Sequence, residues 1–405
     1  MNQTRKGTTP VAVELCAGLG GIGIGLRAIG FVVAKAYDLW DEAVAVYNHN
    51  VPEAVAVSCN LLTARGREIV KEGCGKLNGI DLLAAGPPCK GFSQLRNGHH
   101  DGRNGHNRVL AAIPDYVALL RPRMVLIENV PDLARHRRGK TLRTLVARLV
   151  APTRGLRYRV EYRIYDAAHF GVPQARRRMF ILAVRNGEHH QLPVAGPDLA
   201  PLYASIRHGR DLPAELRPFL DALKNAEDRS LTSAAQALSD LPALGADEED
   251  VERPYAIVAS GAFQRWARQN APAAVRDTRT PAVKSETVSR LRHIPPGGCA
   301  RSIPEEHLNG LVRRYDSAYR RLHPDAPSTA LSTKYDCVYH YAWDRSLSVR
   351  EYARLQGIPD AFTFPDTIVC RRNAYELIGN SVPPLMVEGV LSASLVARSE
   401  QGRRR

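Results

Sequence analysis

The chain has 405 residues, 44% of them hydrophobic and 24% charged, with a formal net charge of +15. That length exceeds one average core, so two domains are expected, and that composition excludes a disordered chain. No stretch approaches the roughly 18 to 20 apolar residues that cross a bilayer, so no membrane partner is expected, and the excess of cations favours a polyanion, nucleic acid being the commonest.

The polar, charged first ten residues read as no secretory signal. Residues 11–16 (VAVELC) read as a buried strand running straight into a glycine-rich turn, and 23–29 as the start of a helix. Residues 31–37 read as a second strand ending at Asp38, and 41–48 as a helix. Residues 80–85 (IDLLAA) and 124–127 (MVLI) read as buried strands, with a helix over 110–120 between them. Strand and helix in alternation predict an α/β fold with a doubly wound, mostly parallel sheet, whose chemistry sits at the carboxyl ends of the strands. Twelve arginines and Lys140 lie between Arg135 and Arg178. From about 191 to 326 periodicity fades and a second, looser domain is expected. The acidic run 247–250 reads there as a solvated loop. Order returns after Leu347: Ser348 caps a helix that ends at Gly357, and a last helix covers 384–397.

Seven cysteines, none closer than fifteen residues, contain no CxxC pair. No metal site is expected, and a reduced, cytoplasmic setting fits best.

Two segments carry chemistry directly. In ELCAGLGGIG (14–23), glycines after a strand let a ligand approach the backbone, and Asp38, twenty residues after Gly18, can accept ribose hydroxyls. A nicotinamide dehydrogenase, or a tight turn with no ligand, would look the same. In GPPCKGFS (86–93), two prolines and flanking glycines hold one thiol, Cys89, rigidly at a strand end, as a nucleophile needs.

With that segment the sequence resembles the DNA (cytosine-5)-methyltransferase family of bacterial restriction–modification type, whose hallmark is Pro-Pro-Cys. Further family segments follow in order: ENV (128–130), QARRR (174–178), RRLHPDAPSTALS (320–332) and IGNSVPP (378–384). The resemblance spans 11–185 and 315–395.

It implies a Rossmann-like catalytic domain over 1–188, completed by 372–397, and a smaller target-recognition domain with hinge over 189–371. It implies S-adenosylmethionine as cofactor, with S-adenosylhomocysteine as product. Cys89 matches the nucleophile that adds to carbon 6 of a cytosine flipped from duplex DNA. Glu128 matches the carboxyl at ring nitrogen 3, Arg178 the arginine at oxygen 2, and Arg176 stands beside it to help hold thiolate or base. Around the cofactor the resemblance places Cys16, Gly18, Gly20, Gly21, Asp38, Leu39, Asn60, Leu61, Pro88, Asn380 and Ser381. Three positions depart from the family: Cys16 where phenylalanine is frequent, Asn60 where aspartate is frequent, and Lys90 after the nucleophile in place of glutamine. The loop 93–108, with Ser93, Arg96, Arg103 and Arg108, is expected to close over DNA while the base is extruded.

The partners implied are double-stranded DNA and a cognate restriction endonuclease, for a cytoplasmic, nucleoid-associated bacterial monomer. An RNA-directed branch of the family carries a Cys-Phe-Thr signature that is not found here. A nicotinamide oxidoreductase gives Cys89 and Glu128 no role, and a non-enzymatic scaffold does not need an intact motif set.

Overall fold

A computed structural model describes residues 9–51, 53, 55–88, 105–225, 227–308 and 319–401. The chain clusters into two compact units: 1–165, 177–195 and 386–405 form the first, 166–176 and 196–385 the second. The sequence drew these boundaries at 188 and 372 instead. Residues 166–176 and 372–385 cluster with the second unit and 189–195 with the first, and one of these switches falls inside QARRR. Gln174–Ala175 pairs in parallel with Ser328–Thr329, whereas the strand from Arg177 joins the main sheet.

The first unit is built on a seven-stranded sheet. In chain order its elements are β1 (Val11–Leu15), α1 (Gly21–Ala28), β2 (Val32–Asp38), α2 (Asp41–Asn50), β3 (Val55–Ser58), α3 (Ala64–Cys74), β4 (Leu82–Ala85), α4 (Gly105–Leu120), β5 (Met124–Asn129), α5 (Lys140–Val150), β6 (Tyr158–Asp166) and β8 (Arg177–Arg185). The intervening β7 is Gln174–Ala175. Strand order is β3-β2-β1-β4-β5-β8-β6. β1 to β5 pair in parallel, and β8 runs antiparallel to β5. Continuous apolar runs explain the centre: every residue of β4 and β5 is buried, as in a sheet covered on both faces. The order reverses between β1 and β4, so the turns after these two strands flank the switch point where open α/β sheets bind ligands.

The second unit has little regular structure. Its helices are α6 (Ala200–His208), α7 (Arg217–Lys224), α8 (Ala234–Leu238), α9 (Ala262–Ala267), α10 (Ser285–Leu291), α11 (Val349–Leu355) and α12 (Arg371–Asn380). Its strands are two-residue pairs: β9 (Arg253–Pro254) with β10 (Ala274–Val275), β11 (Arg320–Arg321) with β13 (Val338–Tyr339), and β12 (Ser328–Thr329) with β7. Buried ion pairs do much of the cross-linking. Arg354 meets Asp240 and Asp360, each at 2.6 Å, Arg350 meets Asp277, and Arg345 grips both oxygens of Glu351 at 2.7 and 2.8 Å. Glu351 also completes the capping box that Ser348 opens at the start of α11. The acidic run 247–250 is braced rather than merely solvated. Glu248 pairs with Arg253 at 2.6 Å, and Asp250 accepts the Thr278 amide at 2.9 Å.

The last helix, α13 (Pro384–Gln401), returns to the first unit from Met386 onward. Among the described residues no helix is long and apolar enough to cross a membrane.

Candidate active site

The turn after β1 is held in a shape that favours glycine. Gly18 and Gly20 have φ of +55° and +97°, and Cys16 shares the left-handed region at 53°. A Cβ on Gly20 would lie 2.6 Å from the Tyr47 ring, so this glycine serves packing. A Cβ on Gly18 would meet nothing within 4 Å, so the backbone there borders open space. Gly21 begins α1 and is buried. The Cys16 thiol is pushed well above its usual range, first by burial and then by the Asp38 carboxylate.

Asp38, at the end of β2, organises this turn. Its two oxygens accept the amides of Gly18 at 2.8 Å and Trp40 at 2.9 Å. Each oxygen keeps a second lone pair for a hydroxyl. Leu39 beside it is 65% exposed. Open backbone, a carboxylate with spare acceptor capacity and an uncovered apolar side chain fit a nucleoside-type cofactor.

Asn60 is exposed, and its Oδ1 accepts the Leu62 amide at 3.0 Å, which sets the local turn. Leu61 is buried, and its carbonyl accepts the Tyr116 hydroxyl at 2.7 Å. A cleft of about 320 Å³ opens beside Leu61, but Gly18, Gly20 and Asp38 do not line it. It is therefore distinct from the glycine turn.

The opposite side of the switch point carries the reactive segment. Cys89, Lys90, Ser93, Arg96 and Arg103 lie outside the described residues. Pro87 and Pro88 are described, and the Asn129 amide donates to the Pro87 carbonyl at 3.3 Å. β5 thus anchors the backbone two residues before Cys89. One position earlier on β5, Glu128 projects to a different partner: Arg178 Nε lies 2.9 Å from Glu128 Oε1. Both side chains are largely out of water, with 15% and 10% exposure, which strengthens the pairing. The antiparallel register of β5 and β8 sets Glu128 opposite Phe180 and Asn129 opposite Met179, which brings Arg178 to the carboxylate.

Arg176 has a different post. It is 3% exposed, and its guanidinium donates to the carbonyls of Leu331 at 3.0 Å and Gly379 at 2.8 Å. Gln174 and Gln356 complete the clamp. Gln174 accepts the Leu331 amide and donates to Gln356, while Gln356 donates to the Ser381 carbonyl at 2.5 Å. The turn 379–381 is therefore held from within the second unit. Asn380 is exposed at its tip, and Ser381 is buried with its hydroxyl on the Val382 carbonyl. The resemblance implies a place for Arg176 at the base or thiolate. In the structure its two terminal nitrogens donate to the backbone carbonyls of Leu331 and Gly379.

Of the expected DNA-binding residues, Arg108 alone is described. It lies on α4 rather than in a loop, because the helix begins at Gly105. Arg108 lines a groove of about 370 Å³ together with Arg137, Lys140 and Arg148 over an apolar floor that includes Leu110 and Leu145. Arg137, Arg138 and Gly139 turn the chain into α5 through three consecutive left-handed residues.

Sequence reasoning missed one buried acid. Glu14 is fully buried; it accepts the Tyr47 hydroxyl at 3.1 Å, and its other oxygen, Oε1, meets no hydrogen-bond partner. Burial pushes its pKa up to about 8. A charged residue inside an otherwise apolar strand was the available signal.

A family model described as C-5 cytosine-specific DNA methylase matches residues 11–395. Type II methyltransferase M.AgeI of Thalassovita gelatinovora is 28% identical over 96% of this chain and 99% of its own length. Type II methyltransferase M1.HphI of Haemophilus parahaemolyticus is 24% identical over 95% and 86%. Among solved structures, a DNA modification methyltransferase encoded within an E. coli prophage is similar with a TM-score of 0.70 at 20% identity, covering 96% of this chain and 99% of that one. A Dnmt2 variant of Spodoptera frugiperda is similar with a TM-score of 0.56 at 16% identity, covering 95% and 99%. At those identities the structures establish the shared methyltransferase fold. Because the family match runs over nearly the whole chain, this protein belongs to the C-5 cytosine-specific DNA methylase family, enzymes that methylate cytosine in DNA.

Proposed function

We propose that the protein takes its methyl group from S-adenosylmethionine and delivers it to carbon 5 of a cytosine flipped out of duplex DNA, with Cys89 as the covalent nucleophile. The pair of Glu128 and Arg178 at 2.9 Å carries the reading. Carbon 5 of cytosine is a weak nucleophile. A thiolate adding at carbon 6 converts the ring to an enamine, and a carboxyl at ring nitrogen 3 offsets the charge that develops as the thiolate adds. Arg178 orients that carboxyl and can reach oxygen 2 of the same base. Asn129, through Pro87, supports the backbone leading to Cys89. The cofactor's sulfonium supplies an electrophilic methyl. The turn at Gly18, Gly20 and Gly21, with Asp38 and Leu39, would hold its nucleoside and methionine parts. Cys16, Asn60, Leu61, Pro88, Asn380 and Ser381 would complete the binding residues, with S-adenosylhomocysteine as product.

The groove with Arg108, Arg137, Lys140 and Arg148 suits a phosphate backbone, and Ser93, Arg96 and Arg103 would extend that contact. Residues 189–371 would read the bases around the target. The names of the two bacterial relatives support a restriction–modification role, in which a monomeric cytoplasmic enzyme protects host DNA from a paired endonuclease.

The test is transfer of labelled methyl from S-adenosylmethionine to unmethylated duplex DNA and, in parallel, to tRNA. 5-Methylcytosine in DNA, absent with Cys89→Ser and reduced about 10²-fold or more with Glu128→Gln, is the expected result. Label in tRNA alone would assign the enzyme to RNA.

A further inference from the structure

Neighbouring arginines on β11 have opposite fates. Arg321 is fully engaged: it pairs with Asp344 at 2.8 Å and donates to the carbonyls of Leu291, Ile294 and His340. Arg320 meets no carboxylate within ion-pair distance among the described residues. It lines a small cleft with Arg207, His323, Gly297, Ser328 and Thr329. Arg207, in the last turn of α6, donates one bond to the Pro327 carbonyl at 3.1 Å and has no acidic partner among the described residues either. Burial, and then the nearness of Arg320, pull its pKa down.

His323 accepts the Asp325 amide at Nδ1, 3.2 Å away, so its Nε2 carries the proton and is a donor. Burial lowers the pKa of this ring, against the pull of the Asp325 carboxylate. Gly297 is held between these groups at φ +80°. A Cβ there would lie 3.1 Å from the His323 ring and 3.3 Å from the Arg207 side chain.

Two half-buried guanidiniums that repel one another, a neutral N–H donor and no acid in the lining are costly unless an anion completes them. The cleft has a volume of about 10 Å³, room for a single oxygen atom. We propose that Arg207, Arg320 and His323 form a seat for one phosphate of the DNA backbone, an anion site on the second unit. The inference rests on the DNA reading above. A phosphodiester oxygen enters the cleft and accepts charge-assisted hydrogen bonds from the guanidiniums. The contact is blind to sequence and fixes the register of the duplex.

The test is duplex binding by the full-length protein across a salt series. Arg320→Gln should flatten the slope of log affinity against log salt by about one and lower affinity several-fold at 0.1 M salt, roughly equally for all sequences. Arg320→Lys should restore most of the slope. The single-turnover methylation rate at saturating DNA should stay at the wild-type value in both variants. Arg207→Gln should act in the same direction, and the unfolding midpoint checks that it folds. An unchanged slope in Arg320→Gln, while wild type binds and methylates DNA, overturns the seat and leaves the DNA reading standing. Inorganic phosphate at constant ionic strength separates the sources. Competition with DNA that disappears in Arg320→Gln supports the seat. Competition that disappears while the salt slope persists would assign the cleft to free phosphate and overturn the proposal.

Discussion

The two units solve the same problem by different means. The first buries continuous apolar strands, so its backbone groups pair within one sheet and its core needs few charges. The second has short helices and two-residue strands, which leave many carbonyls and carboxylates inside without regular partners. Arginine supplies the missing donors: Arg176, Arg345, Arg350 and Arg354 are each at most 3% exposed and each binds backbone carbonyls, carboxylates or both. Where periodicity is too weak to build a ladder, a long side chain with five donors substitutes for one. The cost is dependence on single residues.

The largest expected effect follows from that dependence. Arg354→Ala would take the nearest cation from Asp240 and Asp360, both at most 4% exposed, leaving them Arg268 at 3.5 Å and Arg350 at 3.6 Å, and should destabilise the protein by about 3 to 5 kcal/mol, read from a denaturant midpoint. A loss under about 1 kcal/mol would show that these pairs are not what holds the second unit.

An effect of similar total size, spread over several pH units, separates the units by pH, with opposite signs. Glu14 in the first unit has its pKa raised from 4.5 to about 8 by burial. Its contribution to stability is full below pH 4.5 and drains away as pH rises toward 8, by at most about 1.4 kcal/mol per unit. His340 in the second unit is lowered from 6.5 to about 4, first by burial and then by Arg345 and Arg321, against the pull of Glu351. Its contribution is full above pH 6.5 and is lost as pH falls toward 4. Glu14→Gln should flatten stability between pH 5 and 8 and leave the acid limb intact. An unchanged alkaline slope would show that Glu14 is not the group responsible.

Smallest is the partly exposed cluster of Arg123 with Asp81 and Glu188 at 3.0 and 2.8 Å. Arg123→Ala should cost no more than about 1 kcal/mol and fade with salt, since water screens it. A larger, salt-insensitive loss would erase the contrast with Arg354.

The same contrast governs what could be read from sequence. β1, β2, β4 and β5 were legible because apolar runs end in glycine or acid, and the switch point followed from their order. β6, YRVEYRIYD, was not legible, since its charged residues break any alternation. β8 was hidden inside a motif: QARRR reads as a basic patch, yet Arg178 is on the strand and meets Glu128 while Arg176 faces backbone carbonyls. Three identical residues in a row carry no sign of which side each faces. The second unit stayed dark because its contacts, such as Arg354 to Asp240, join positions far apart with no period. Asn129 was visible as a motif residue, but its grip on the Pro87 carbonyl depends on the parallel pairing of β4 and β5.

The central claim is covalent attack by Cys89 on a DNA cytosine. Duplex DNA in which cytosine carries fluorine at carbon 5 tests it most directly, because after methyl transfer no proton remains to be removed and the thioether bond persists. Incubated with S-adenosylmethionine and run on a denaturing gel, the wild-type protein should migrate as a stable protein–DNA adduct, and Cys89→Ser should give none. No adduct with wild type, or an adduct that survives the substitution, would contradict the account.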